Sequence, residues 1–286
     1  MADGGAGFGD RLAAIFDDLG QLCVGIDPHP YLLEQWGLPD SAASLREFGL
    51  RVVSATAGLA GIVKPQVAFF ERHGSAGYAA LESVLAAARE AGIMIVADVK
   101  RGDLGTSVEA YGQAWLTPGS PLEADAMTIS AYQGVDSIAA PMELAIASGK
   151  GLFVLAATSN PEAHDVQTAV TASGMSVASS IVRDVVTFNR EKTETGNGSI
   201  GLVLGATVNF ADFGIDLDSL AAEPSTPVLA PGFGHQGARY ANLAALYGSA
   251  APFAVVAASR SILQSGPDGI VDAVTRQSAE VRACRA

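Results

Sequence analysis

Ile93-Met94-Ile95-Val96-Ala97-Asp98-Val99-Lys100-Arg101-Gly102-Asp103 is the stretch from which the rest of the chain can be read. It opens with five apolar residues in succession. A strand with one wet face would alternate, so this one is expected to be buried on both faces, as in a parallel sheet covered by helices. The run then breaks into four charged residues within six positions, Asp98 to Asp103. Asp98 and Lys100 lie two apart, so on a strand their side chains point the same way.

Seven similar runs flank it. Upstream lie Leu22 to Ile26, ending at Asp27-Pro28, and Ile62 to Lys64; downstream lie Ala126 to Ser130, Leu152 to Ala157, Ile200 to Leu204, Pro227 to Pro231 and Phe253 to Ala257. Helical spacing fills the gaps. Tyr78, Leu81, Leu85 and Ala88 share one face before Gly92; Val135, Ile138, Met142 and Ile146 do so before Gly149; Ile270, Val271, Val274 and Val281 follow Pro267-Asp268. Eight strands alternating with helices point to an α/β chain folded as a single (β/α)8 TIM barrel, with a doubly wound open sheet as the competitor. The 286 residues suit one such domain over 1–286, since the fold takes ~250. Residues 1–10, Gly-rich and acidic, are expected to be flexible, and the polar stretches 160–174 and 191–199 to be inserted loops.

A formal charge of 17 − 30 = −13 argues against general nucleic-acid binding and against an anionic membrane surface. No apolar run approaches the ~20 residues that span a bilayer. The two cysteines, Cys23 and Cys284, form neither a disulfide framework nor a zinc spacing, which with the lack of a secretion signal suggests a cytoplasmic protein. His29, His73, His164 and His235 lack metal-ligand spacing, and Ser130 and Ser159 lack a His/Asp partner arrangement, so no metal and no serine triad are assigned.

Polar residues recur where the strands end: Asp27, then Asp98, Lys100 and Asp103, then Thr158 and Ser159, then Pro231, then Ser259 and Arg260. In a β/α barrel these C-terminal ends form one mouth, where active sites sit. A lysine between carboxylates stays protonated and can serve as a placed proton donor; a surface ion pair capping the helix near Gly105 is the plain alternative. Lys64 sits inside an apolar strand and reaches either water or Asp98. Pro231-Gly232-Phe233-Gly234-His235-Gln236-Gly237 after strand seven, with Arg260 after strand eight, has the place and composition of a phosphate site, glycines allowing backbone N–H groups to approach an anion.

Asp98-Val99-Lys100-Arg101-Gly102-Asp103 resembles the D-x-K-x-x-D signature of the orotidine 5′-phosphate decarboxylase family. Gly25-Ile26-Asp27, Lys64, Pro231-Gly232-Phe233-Gly234 and Ser259-Arg260 agree with it. The segments Lys64 to Glu71 and Thr158-Ser159-Asn160-Pro161 look like the longer bacterial branch. The resemblance implies cofactor-free decarboxylation of orotidine 5′-monophosphate to uridine 5′-monophosphate in pyrimidine biosynthesis. It implies Lys100 as proton donor, Asp98 as the carboxylate beside the substrate carboxylate, and Asp103 as a second acid that crosses into the neighbouring site of a homodimer. Asp27 and Lys64 would hold the ribose, Ser159 would read the pyrimidine, and Pro231 would wall the ring. Gln236 and Arg260, with Gly232, Gly234 and Ser259, would clamp the phosphate, and Ser107 stands where the family commonly has Thr. Two other readings remain at this stage. One is a metal-dependent sugar-phosphate lyase or synthase with the same motif, which would want a Glu where Lys64 stands; the other is a barrel that only binds a nucleotide.

Overall fold

Strands form where the apolar runs lie: β1 Leu22–Ile26, β2 Ile62–Pro65, β3 Met94–Arg101, β4 Ala126–Ile129, β5 Gly151–Ala157, β6 Ile200–Leu204, β7 Val228–Pro231 and β8 Ala254–Ala258. The computed structural model describes residues 6–193 and 196–284. All eight strands are parallel and close in sequence order, with Cys23 of β1 opposite Ala257 of β8. That closure rules out the open sheet. Nearly every strand residue is buried, because helices cover the outside while side chains fill the inside.

The barrel interior is packed by Cys23, Ile62, Val96, Phe153, Leu229 and Val255 among others, sealed from below by the helix Phe8–Leu19. That helix corrects the expectation for residues 1–10. Residues 1–5 lie outside the described residues, but Phe8 is fully buried and meets Phe153 edge-on, ring centroids 5.9 Å apart. An aromatic ring in the barrel floor orders the segment that carries it. Arg11 on the same helix donates to Asp125 at 2.8 Å and to the Gly149 carbonyl at 2.9 Å.

Neither proposed insertion is a plain loop. Within 160–174, a 3-10 turn Pro161–Ala163 leads into a short helix His164–Thr168. Gln167 ties this helix back to β5: its amide oxygen accepts from the Thr158 N–H at 2.9 Å and its amide donates to the Thr158 hydroxyl at 3.0 Å. In 191–199, the helix Val177–Lys192 runs into the stretch, residues 194 and 195 lie outside the described residues, and Asn197 donates to Asp10 at 3.2 Å. The helical spacing over Val135 to Ile146 resolves into a 3-10 turn, Val135–Ile138, and a helix, Ala139–Ala147. Pro141 in the first turn of that helix has no N–H to extend it backwards.

Candidate active site

β3 carries the larger of two register shifts found in the barrel ladders, the smaller lying between β5 and β6. Its register against β4 runs Ala97 to Met127 and then jumps to Arg101 opposite Ile129, so β3 spends four residues where β4 spends two. Lys100 sits in this bulge with φ of +45°, the only non-glycine residue in the left-handed region among those described. Such a conformation disfavours any residue with a side chain and persists only where its surroundings enforce it. Asp98 and Lys100 do meet, as the two-residue spacing predicts, yet through a bulge and not a regular pleat.

Asp98 is buried, 7% exposed as a residue. Its Oδ1 accepts from the Lys100 ammonium at 2.5 Å and the Thr128 hydroxyl at 2.9 Å; its Oδ2 accepts from the Lys64 ammonium at 2.9 Å and the Gln66 amide at 3.0 Å. Four donors use the approximately four lone-pair sites of a carboxylate. Burial works to raise the pKa of Asp98, but the charges of Lys64 and Lys100 outweigh it and hold the carboxyl well below its usual range. Burial likewise works against the charge on Lys64, and Asp98 with Asp27 overcomes it and pushes that pKa up. Lys64 reaches Asp98 and not water. Gln66 and Thr128 were not singled out by the sequence reading; the signal available was one hydroxyl inside the otherwise apolar run Ala126-Met127-Thr128-Ile129.

Above this cluster opens a cavity of about 380 Å³, within the range of small-molecule sites. Asp27, Lys64, Asp98, Lys100, Ser159, Pro231, Gly232, Gln236, Ser259 and Arg260 all border it, as do Asn160 and His235. The cations Lys64 and Lys100 stand on one side of the barrel, and Arg260 leads the turn after β8. Asp27 Oδ1 and Ser259 Oγ are buried without a hydrogen-bond partner, unusual for polar atoms. Gly232 has φ of +114° and Gly234 φ of +71°, conformations in which a side chain would be strained. The glycine loop corrects one expectation. The Gly234 N–H donates to the Ala238 carbonyl and the Gly237 N–H to the Gly234 carbonyl, so the tight turn uses these two donors itself.

Three predicted residues stay off the cavity wall. Asp103 accepts from the Leu104 N–H at 2.9 Å, Ser107 is exposed on the first turn of the helix Gly105–Leu116, and Gly234 lies behind the loop against Ser261. Cys23 is fully buried beneath the site; burial pushes its thiol pKa up to about 12, which makes it packing and not a nucleophile. Among the described residues, no three His, Cys, Asp or Glu side chains converge as a metal site.

The family model described as orotidine 5′-phosphate decarboxylase / HUMPS family matches residues 20–271, the barrel and its mouth together. The chain belongs to that family. Orotidine 5′-phosphate decarboxylases that it resembles include one of Salinispora tropica, 46% identical over 96% of this chain and 97% of the relative. Another is from Streptomyces coelicolor, 44% identical over 96% and 97%. Among solved structures, a protein of Streptomyces avermitilis has a TM-score of 0.91 and 44% identity, covering 99% of this chain and 97% of its own. The orotidine 5′-monophosphate decarboxylase of Leishmania donovani has a TM-score of 0.72 at 27% identity, covering 98% of each chain. The decarboxylase family membership thus extends over the whole barrel and includes the strand carrying the Asp98 cluster.

Proposed function

We propose that the protein decarboxylates orotidine 5′-monophosphate to uridine 5′-monophosphate and CO2 in pyrimidine biosynthesis, without a cofactor and with Lys100 as proton donor. One observation carries this reading. A buried carboxylate, Asp98, is kept ionised between two ammonium groups at one side of a cavity that Arg260 and Gln236 also border. In the reaction the bond from C6 of the pyrimidine to its carboxylate breaks, CO2 leaves, and the electron pair stays on C6. The Lys100 ammonium, set beside that carbon, gives it a proton and later regains one from water. A fixed positive charge beside the reacting carbon favours the carbanionic state more than the dispersed charge of the ground state. Asp98 is held ionised and has no proton to donate to the substrate carboxylate, so the two carboxylates repel and the repulsion ends as CO2 departs.

Other roles follow the cavity. Asp27 and Lys64 hold the ribose hydroxyls, and the unpartnered Oδ1 of Asp27 suits that task. Ser159 reads the pyrimidine edge and Pro231 walls the ring. Gln236 and Arg260, with Gly232 and Ser259, clamp the phosphate, a guanidinium matching phosphate in two hydrogen bonds; Gly234 shapes the loop behind them. Asp103 and Ser107 serve the neighbouring site in a cytoplasmic homodimer. Their position off this chain's own cavity supports it, as do the nearby exposed Leu104 (58%) and Tyr132 (82%). Purified protein treated with EDTA, mixed with orotidine 5′-monophosphate and followed by loss of ultraviolet absorbance, tests the reading. Rapid loss in the parent and none with Lys100→Ala is expected; no loss in the parent would overturn it.

A further inference from the structure

In β3 the ladder to β4 breaks between Ala97 and Arg101, so the Val99 and Lys100 N–H groups have no ladder carbonyl. Both go instead to one atom. The Thr128 hydroxyl accepts from the Val99 N–H at 3.0 Å and the Lys100 N–H at 2.9 Å, and donates its own hydrogen to Asp98 Oδ1 at 2.9 Å. A hydroxyl has one donor and two acceptor positions; here all three are taken, so the group cannot rotate. Thr128 is 1% exposed although it borders the cavity, so in the folded chain water does not compete for these bonds. The same oxygen therefore joins the backbone that carries Lys100, in its left-handed conformation, to the carboxylate that its ammonium touches.

We infer that the Thr128 hydroxyl is a positioning group for the reaction, holding the two-residue bulge of β3 in the one shape that sets the Lys100 ammonium against Asp98. Its kinetic consequence rests on the decarboxylase reading; the geometric claim does not. A packing role and a positioning role make opposite rankings of two substitutions. Thr128→Val keeps the branched shape and loses the hydroxyl, whereas Thr128→Ser keeps the hydroxyl and loses the methyl. If Thr128 only fills space, valine outperforms serine. If it positions Lys100, serine outperforms valine.

The test measures kcat and KM for orotidine 5′-monophosphate, together with amide hydrogen exchange of Val99 and Lys100, in the parent and both variants. Thr128→Val is expected to lower kcat by about 10- to 100-fold, the scale of misplacing a reacting group by an ångström or less. KM, governed at the far end of the cavity by the phosphate contacts, should move by less than about threefold. Thr128→Ser should stay within about fivefold of the parent in kcat, since its hydrogen bonds remain. The Val99 and Lys100 amides should exchange at least about tenfold faster with valine and at the parental rate with serine. A valine variant that matches the parent, or a serine variant as impaired as valine, overturns the inference. If the valine variant does not fold, Thr128→Ala against Thr128→Ser makes the same comparison. If the parent itself shows no decarboxylation, the proposed function fails, and the exchange data alone decide the role of Thr128.

Discussion

Lys64→Met should cost the fold more than its single lost charge suggests. Lys64 and Asp98 meet at 2.9 Å with side chains each 9% exposed. At an effective dielectric of ~20, charges at that distance attract by roughly 6 kcal/mol, and desolvation of both offsets much of it. Removing one partner, however, leaves the other charge buried, which costs about 3–5 kcal/mol. Lys100 remains on Oδ1 but is 49% exposed and well screened, so it lowers the cost only to the bottom of that range, about 3 kcal/mol. For a chain of 286 residues that is a fall in Tm of roughly 5 °C, read by calorimetry near pH 7. The pH dependence has a definite sign. Asp98 is held below its usual pKa, so the stability that it contributes is present above about pH 4 and is lost as pH falls through the native value. Lys64 is pushed up, so its contribution is present below about pH 10 and lost as pH rises through its native value. The gap between parent and variant should be flat across neutral pH and narrow in acid. A Tm within about 2 °C of the parent, or a gap that widens in acid, would refute the reasoning.

Two further outcomes are expected. Arg260→Ala should lower kcat as well as raise KM, each by about tenfold or more, because remote phosphate contacts orient the ring for reaction; steady-state kinetics with unchanged kcat would contradict this. Phe8→Ala should destabilise the protein by about 3–5 kcal/mol in urea denaturation by emptying the floor of the barrel, and an unchanged midpoint would mean that the N-terminal helix does not seal it.

The barrel was legible because each strand is buried on both faces, and a continuous apolar run is what double burial requires. Leu22 to Ile26 and Ile200 to Leu204 match the observed strands end to end. Phe8 was not legible, since a lone aromatic among glycines gives no period and its partner Phe153 lies far along the chain. The helix His164–Thr168 was hidden in the same way, being held by Gln167 on Thr158 and not by any apolar face of its own. At the candidate site, the meeting of Asp98, Lys100 and Lys64 could be read from their places on strands. The bulge that achieves it could not, because it depends on a hydroxyl in the neighbouring strand. The glycine loop showed the limit of composition as a guide: Gly234 and Gly237 permit a tight turn, and the turn then takes their N–H groups for itself.

Closure of the barrel sets the order of events in folding. Leu22 pairs with Val256 across β1 and β8, and Phe8 waits for Phe153. During synthesis the first strand and its helix leave the ribosome long before the strand that must flank them. Contacts so distant in sequence are slow to form, and until β8 arrives both edges of the growing sheet stay open to other chains. Refolding from denaturant should therefore show its slowest phase, and its greatest sensitivity to protein concentration, in the pairing of β1 with β8.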